Sequence, residues 1–311
     1  YAISSNAQQN GASHKNWLYQ IKTQFNGQEK FDIRFEKFSF DETRYLNRFI
    51  DYSYFKKNKS RIQKLFRESN NPLSLIKYEN NNGYVTVEDG FSSTYNIEVT
   101  DFKGNSMSIA IPIKGKKTDV LNSKEIKTTD DYIYADQATS ISKGKFNIYI
   151  PAKSLYEDTY LDIAVEGDTL KFHSDVIPIH KNITITADVS NYKNDDIDKL
   201  FLGRVNYKGE PYYNTTSRKG QKLSARTRTF GTYILVSDTT SPTVKPVNFE
   251  ADKWISNNKT LKLKIEDDLS GIHSYRATIN GKFILMEYNY KKDVLTYDFD
   301  DNIIAEAENN L

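Results

Sequence analysis

The chain has 311 residues, 38% of them hydrophobic and 13% aromatic, with 43 basic against 41 acidic side chains. That balance is too apolar for a disordered chain, and a net charge of +2 offers no single-sign field to attract nucleic acid or an anionic membrane. The absence of cysteine excludes disulfides, thiol catalysis and thiolate metal sites, which suits a reducing compartment or an envelope protein held by its cores alone.

The first residues, 1–16, read as the tail of an interrupted strand and loop, so the chain is expected to be incomplete at its N-terminal end. Period-two alternation then begins. Trp17, Tyr19, Ile21 and Phe25 fall on one face and Leu18, Gln20, Lys22 and Gln24 on the other. Asn26-Gly27 supplies the positive-φ pair of a tight hairpin, and Phe31, Ile33 and Phe35 resume the alternation on the return strand.

Between Asp41 and Phe66 the apolar spacing changes to Leu46, Phe49, Ile50 and then Ile62, Leu65, Phe66, which predicts amphipathic helical turns with Asp41 and Asp51 as N-caps. Lys56, Lys57, Lys59 and Arg61 read as the solvated face of this helical insertion. Alternation returns at Tyr95/Ile97/Val99, Ile109/Ile111/Ile113, Phe146/Ile148/Ile150, Leu161/Ile163/Val165, Ile183/Ile185, Leu261/Leu263/Ile265, Tyr275/Ala277/Ile279 and Leu295/Tyr297/Phe299. The expected fold is mainly β: tandem Ig-like β-sandwich domains with a short helical insertion, 41–66, in the first.

Two polar linkers, Lys114 to Asp119 and Ser237 to Pro242, divide the chain into residues 1–115, 116–239 and 240–311. The last segment is shorter than a full seven-strand sandwich and is expected to continue beyond Leu311. No apolar stretch approaches the roughly 18 to 20 residues of a membrane span; Tyr233-Ile234-Leu235-Val236 is typical.

Motifs that carry chemistry are scarce. His14, His173, His180 and His273 form no H-E-x-x-H or H-x-H, and the residues four positions after them are Leu18, Ile177, Thr184 and Ala277 rather than aspartate. There is no nucleophile elbow, phosphate loop or dinucleotide turn. The acidic groups Glu157-Asp158, Asp195-Asp196 with Asp198, and Glu266-Asp267-Asp268 suggest calcium or glycoside chemistry less than ordinary turn chemistry. Tyr212-Tyr213 suits sugar stacking if exposed, and Arg226 and Arg228 read as the wet face of a strand. No residue is therefore expected to be catalytic, cofactor-binding or metal-ligating.

Four segments in order, 38–52 (FSFDETRYLNRFIDY), 150–163 (IPAKSLYEDTYLDI), 230–244 (FGTYILVSDTTSPTV) and 267–288 (DDLSGIHSYRATINGKFILMEY), resemble the region that follows the peptidase domain in lysostaphin-like (LytM-type, family-23) zinc metallopeptidases of Bacteroidota. The resemblance implies a parent protein that cleaves peptidoglycan peptides with zinc held by two histidines and an aspartate. None of those ligands has a counterpart here, so zinc is implied only for a catalytic domain outside this chain. It also implies an extracytoplasmic address, in the periplasm or at the cell surface in association with the outer membrane, with a possible upstream lipid anchor. The expected role is a non-catalytic portion that positions or anchors the hydrolase, with peptidoglycan or other envelope proteins as partners. The alternative is a non-enzymatic scaffold, an adhesin or a subunit of an envelope assembly.

Overall fold

The computed structural model describes residues 2–3, 18–117, 128–250, 252–255 and 257–299. The chain is mainly β: antiparallel sheets in tandem, with a short helical insertion in the first unit. Three hydrophobic cores follow one another along the described residues, around Phe31 and Ile97, around Phe146 and Tyr233, and around Leu261 and Tyr297. No helix among the described residues is long and apolar enough to cross a membrane.

The first unit is a five-stranded sheet in the order Ile76–Glu79, Gln28–Arg34, Leu18–Phe25, Ser92–Asp101, Ser106–Lys114. Asn26 and Gly27 both take positive φ at the expected hairpin. The register places Ile21 opposite Ile33 and Val99, and Thr23 opposite Phe31 and Ile97, so these share the buried face. A bulge between Leu18 and Gln20 breaks the expected alternation. As a result Leu18 joins the core, while Tyr19 turns out to bond Glu36 and to lie 5.1 Å from Phe102, ring centre to ring centre. Trp17 lies outside the described residues.

The buried face is roofed by the insertion. Helices α1 (Thr43–Arg48) and α2 (Tyr52–Asn58) follow a 3-10 turn at Phe40–Glu42. Leu46 and Phe49 from this region, with Leu65, Leu73 and Leu75 from the following loop, complete the core. Asp51 caps α2 as expected, its carboxylate accepting from the Tyr54 amide at 2.9 Å. Asp41 is not a cap; Ser39 holds that position, and its side chain accepts from the Asp41 amide. Nor is the Ile62 to Phe66 stretch helical. Lys59 adopts a left-handed φ that ends α2, and the chain leaves extended, with Gln63–Lys64 pairing Ala2–Ile3. Leu65 is buried all the same, which explains the apolar spacing.

The second unit stacks two five-stranded sheets. One runs Thr216–Lys219, Lys222–Thr227, Ile183–Asp188, Phe146–Ile150, Thr139–Lys143; the other runs Ile163–Glu166, Thr169–Phe172, Gly231–Ser237, Leu200–Val205, Pro211–Tyr212. Ile148, Ile185 and Ala225 meet Leu170, Leu202 and Tyr233 between the layers. The fully buried Tyr233 hydroxyl donates to the Thr229 carbonyl at 2.7 Å and lies 2.6 Å from Thr227 Oγ1, so no phenol is left unsatisfied.

The third unit has a four-stranded sheet, Thr243–Pro246, Thr260–Glu266, Val294–Asp298, Glu287–Asn289, and a hairpin of Ala277–Ile279 with Lys282–Ile284. Asp238, just past the last strand of the second unit, bonds backward through its amide to Lys199 and forward through its carboxylate to the Ser270 amide.

Candidate functional site

Most of the polar side chains that converge in this molecule do so where the helical insertion meets the second sandwich. Helix α1 carries Arg44, Tyr45, which also packs against the first core, and the buried Arg48, and α2 carries Tyr52 and Lys56. From the second unit, the turn after Phe146–Ile150 supplies Tyr156 and Glu157, and the loop after Thr169–Phe172 supplies Asp175 and His180. Between them lies a cleft of about 960 Å³, lined in part by Tyr45, Asn71, Tyr84, Lys153, Tyr156 and His180.

One cluster centres on Arg48, a buried cation. Its guanidinium pairs with Glu68 at 3.2 Å and with Glu157 of the second unit at 2.5 Å, and lies over the Tyr156 ring. Glu68 also accepts from Lys64, so the charges balance locally. Beside it, His180 packs on Tyr45 at 4.9 Å between ring centres, and its Nδ1 lies 3.0 Å from the Tyr156 hydroxyl. Arg44 donates to the His180 carbonyl at 3.3 Å. Burial, with Arg44, Lys181 and Arg228 nearby, pulls the His180 pKa below the usual imidazole value. Burial also pushes the Tyr156 phenol up to about 12. The pair therefore holds a neutral imidazole against a protonated phenol near neutral pH.

A second cluster centres on Asp175. It accepts from the Tyr52 hydroxyl at 3.1 Å and from Arg204 at 3.2 Å, and is ion-paired to Lys56. Arg204 is fixed by the Phe230 carbonyl at 2.9 Å and by the Tyr212 hydroxyl at 3.0 Å. Gly231 lies against it: its φ of 139° is one that a side-chain-bearing residue rarely adopts, while a Cβ there would stand 3.5 Å from the guanidinium, an ordinary contact. Burial and the Asp175 charge raise the Tyr52 pKa well above that of an ordinary phenol. Among the described residues Arg48 and Arg204 each keep a buried Nε without a hydrogen-bond partner, but their Nη2 groups and the facing carboxylates are engaged by partners from the two units, which makes the clusters a brace rather than a reactive centre.

The remaining residues singled out by sequence are dispersed. His173 accepts from the Asp162 amide and packs on Phe230; His273 lies near the junction of the second and third units; His14 lies outside the described residues. Asp158 accepts from the Ala135 amide and Asp198 pairs with Arg218, each tying together separate segments, while Asp267 accepts from the Leu269 and Gly271 amides within its own turn. Tyr213 packs on Phe201 while Tyr212 bonds Arg204, so the two do not form a shared stacking platform. Arg226 and Arg228 are exposed along their strand and beyond it. Lys56 departs from its expected solvated role by pairing with Asp175, whereas Lys57 and Lys59 are exposed. No cluster of three or more His, Cys, Asp or Glu stands ready for a metal ion among the described residues.

Sequence reading flagged His180 and Glu157 but missed Arg44, Arg48, Tyr52, Asp175 and Arg204. Each looks like an ordinary surface residue until a segment more than a hundred positions away, or another sheet, is brought against it.

Residues 130–238, which span the second unit, match the family model of the Zu5-like domain. No curated protein and no solved structure matches the chain.

Proposed function

We propose that this chain is the non-catalytic β-sandwich portion of a cell-envelope zinc metallopeptidase of the peptidoglycan endopeptidase type, acting as a spacer that positions or anchors a catalytic domain lying outside these residues. The observation that carries the spacer reading is the brace between the first two units, where Arg48, Tyr52 and Lys56 engage Glu157 and Asp175. A spacer that positions its cargo needs fixed joints, and ion pairs combined with ring packing resist the swivelling expected of a bare linker. The peptidase assignment rests on the four resembling segments. On this reading zinc belongs to the catalytic domain, where it lowers the pKa of its bound water. The address is extracytoplasmic, with peptidoglycan or envelope proteins as partners.

The test is to purify the 311-residue chain and the native polypeptide in parallel, sequence the latter on the N-terminal side of Tyr1, and assay both for zinc and for muropeptide release. The native polypeptide is expected to carry a histidine with an aspartate four residues on and a later H-x-H, and to lose activity with a chelator. The shorter chain is expected to be inert. Stoichiometric zinc or chelator-sensitive hydrolysis in the 311-residue chain would overturn the reading. A second reading, a non-enzymatic envelope scaffold or adhesin, is favoured by the long exposed strand at the edge of the first sheet. A stable, salt-resistant complex with other envelope proteins, without zinc ligands in the native polypeptide, would select it.

A further inference from the structure

The outer strands of the larger sheets are protected, with one exception. Seven of the eight outer strands in the four- and five-stranded sheets of the described residues run only two to five residues, and each contains a charged residue or a proline. Short, charged or proline-bearing edges are how proteins prevent edge-to-edge association. The eighth, Ser106–Lys114, also contains a proline and a lysine, Pro112 and Lys114, but both lie in its last three positions; at nine residues it is far longer than the others, and its first six residues carry neither charge nor proline.

Among the described residues its apolar side is uncovered at Met107 and Ile109, whereas Ile111 and Ile113 are half-buried against the first core. The register sets Met107 opposite Val99, Ile109 opposite Ile97 and Ile111 opposite Tyr95, so these side chains continue the sheet's buried face. Ile97 is almost completely buried, yet Met107 is 74% and Ile109 54% exposed, because the roof of helices and loops stops short of this edge.

The free backbone groups can be identified. Thr94 exchanges both its amide and its carbonyl with Asn26, and so turns away from the outer strand. Its partner there is Pro112, which makes that a non-hydrogen-bonded pair. In an antiparallel ladder the even-numbered residues of the outer strand therefore point their backbone groups outward. Among the described residues, Ser106, Ser108, Ala110 and Lys114 offer unpaired amides and carbonyls, and Pro112 offers a carbonyl alone.

We infer that this edge pairs antiparallel with the same strand of a second copy of the chain, about a two-fold axis at Ala110, to form a continuous ten-stranded sheet. The sequence Ser-Met-Ser-Ile-Ala-Ile-Pro-Ile-Lys is self-complementary about that axis. Met107 of each copy meets Ile113 of the other, and Ile109 meets Ile111, so each exposed side chain is covered by a half-buried isoleucine of the other copy. Charge favours the same occupant in the same register: each Lys114 falls beside a serine, not beside its own copy. Pro112 falls opposite Ser108 and removes one hydrogen bond per copy. An extended segment of another protein would have no reason to match this symmetry.

The experiment is sedimentation equilibrium of the 311-residue chain at tens of micromolar, with Ile109→Lys, and oxidative cross-linking of Ala110→Cys in this cysteine-free background. The wild type is expected at roughly twice 35.9 kDa, and Ile109→Lys, at an already exposed position, to weaken association about tenfold or more with an unchanged circular dichroism spectrum. Ala110→Cys is expected to form a covalent dimer faster than Ser140→Cys, a control on an edge of the second unit. A monomeric wild type, or a dimer indifferent to Ile109→Lys, would overturn the proposal. Equal cross-linking at the two positions would overturn the register, and with it the two-fold axis.

Discussion

Asp175 is the residue whose alteration tests the brace most directly, because donors from both units converge on its carboxylate. Asp175→Asn preserves shape while removing the charge that Lys56, Arg204 and the Tyr52 hydroxyl share. The Tyr52 bond to an ionised acceptor contributes about 1.5 kcal/mol. The side chains of Lys56 and Arg204 are 27% and 24% exposed, so each pair is worth about 1 kcal/mol rather than the ~3 to 5 kcal/mol lost on breaking a fully buried one. These sum to about 3.5 kcal/mol, and because the asparagine amide oxygen still accepts from Tyr52 as a neutral acceptor, the substitution should cost about 3 kcal/mol. Part of this lies within the second unit, where Arg204 keeps the Phe230 carbonyl and Tyr212. The part that joins the units is carried by Tyr52 and Lys56. Calorimetry of the wild type should show the first two units unfolding in one transition, which Asp175→Asn should split. A double-mutant cycle with Lys56→Met should return a coupling of about 1 kcal/mol. The reasoning fails if Asp175→Asn costs less than about 1 kcal/mol, or if Lys56→Met has the same effect with and without it.

Acidification should loosen the same junction through His180. Its folded pKa lies below the unfolded imidazole value of 6.5, so the unfolded chain binds the extra proton first. The contribution is intact above that pH and declines as pH falls below it. Its slope can be no steeper than about 1.4 kcal/mol per pH unit and is reduced by solvent at the cleft. His180→Gln should flatten the dependence of the urea midpoint between pH 7 and 5.5, and an unchanged slope would exclude His180 as its source. In the second core, Tyr233→Phe should cost about 1 kcal/mol in urea unfolding, since it removes the phenol's two bonds while Thr227 Oγ1 keeps the Thr229 amide and carbonyl as partners. A cost near zero would mean that the Thr227 and Thr229 groups satisfy one another without the phenol.

The β character of the chain was legible because alternation is local: Phe146, Ile148 and Ile150 declare an inward face without reference to any other segment. The hairpin at Asn26-Gly27 was equally plain, since few residue pairs tolerate two positive φ values. Misreadings arose where local pattern and tertiary placement part. A bulge sends Leu18 inward in place of Tyr19, and a bulge has no side-chain signature. Leu65 is apolar because it fills the roof of the first sheet, a position that demands burial without demanding a helix. Ile109 follows the alternation of a buried strand and is nonetheless exposed, for periodicity tells which face a residue occupies and not whether anything covers it. The brace was the least legible, because a lysine that pairs with an aspartate 119 positions away leaves no trace in its own neighbourhood.

The helical insertion is a party wall. Phe49 seals the interior of the first sheet, and one position earlier Arg48 reaches the second sandwich. A substitution here is consequently read twice, once as a change in the solvent shielding of one neighbour and once as a change in the foundations of the other. A surface loop can be altered without reference to the bodies it joins, but a change in these few turns must satisfy the packing of one neighbour and the ion pairs of the other at once.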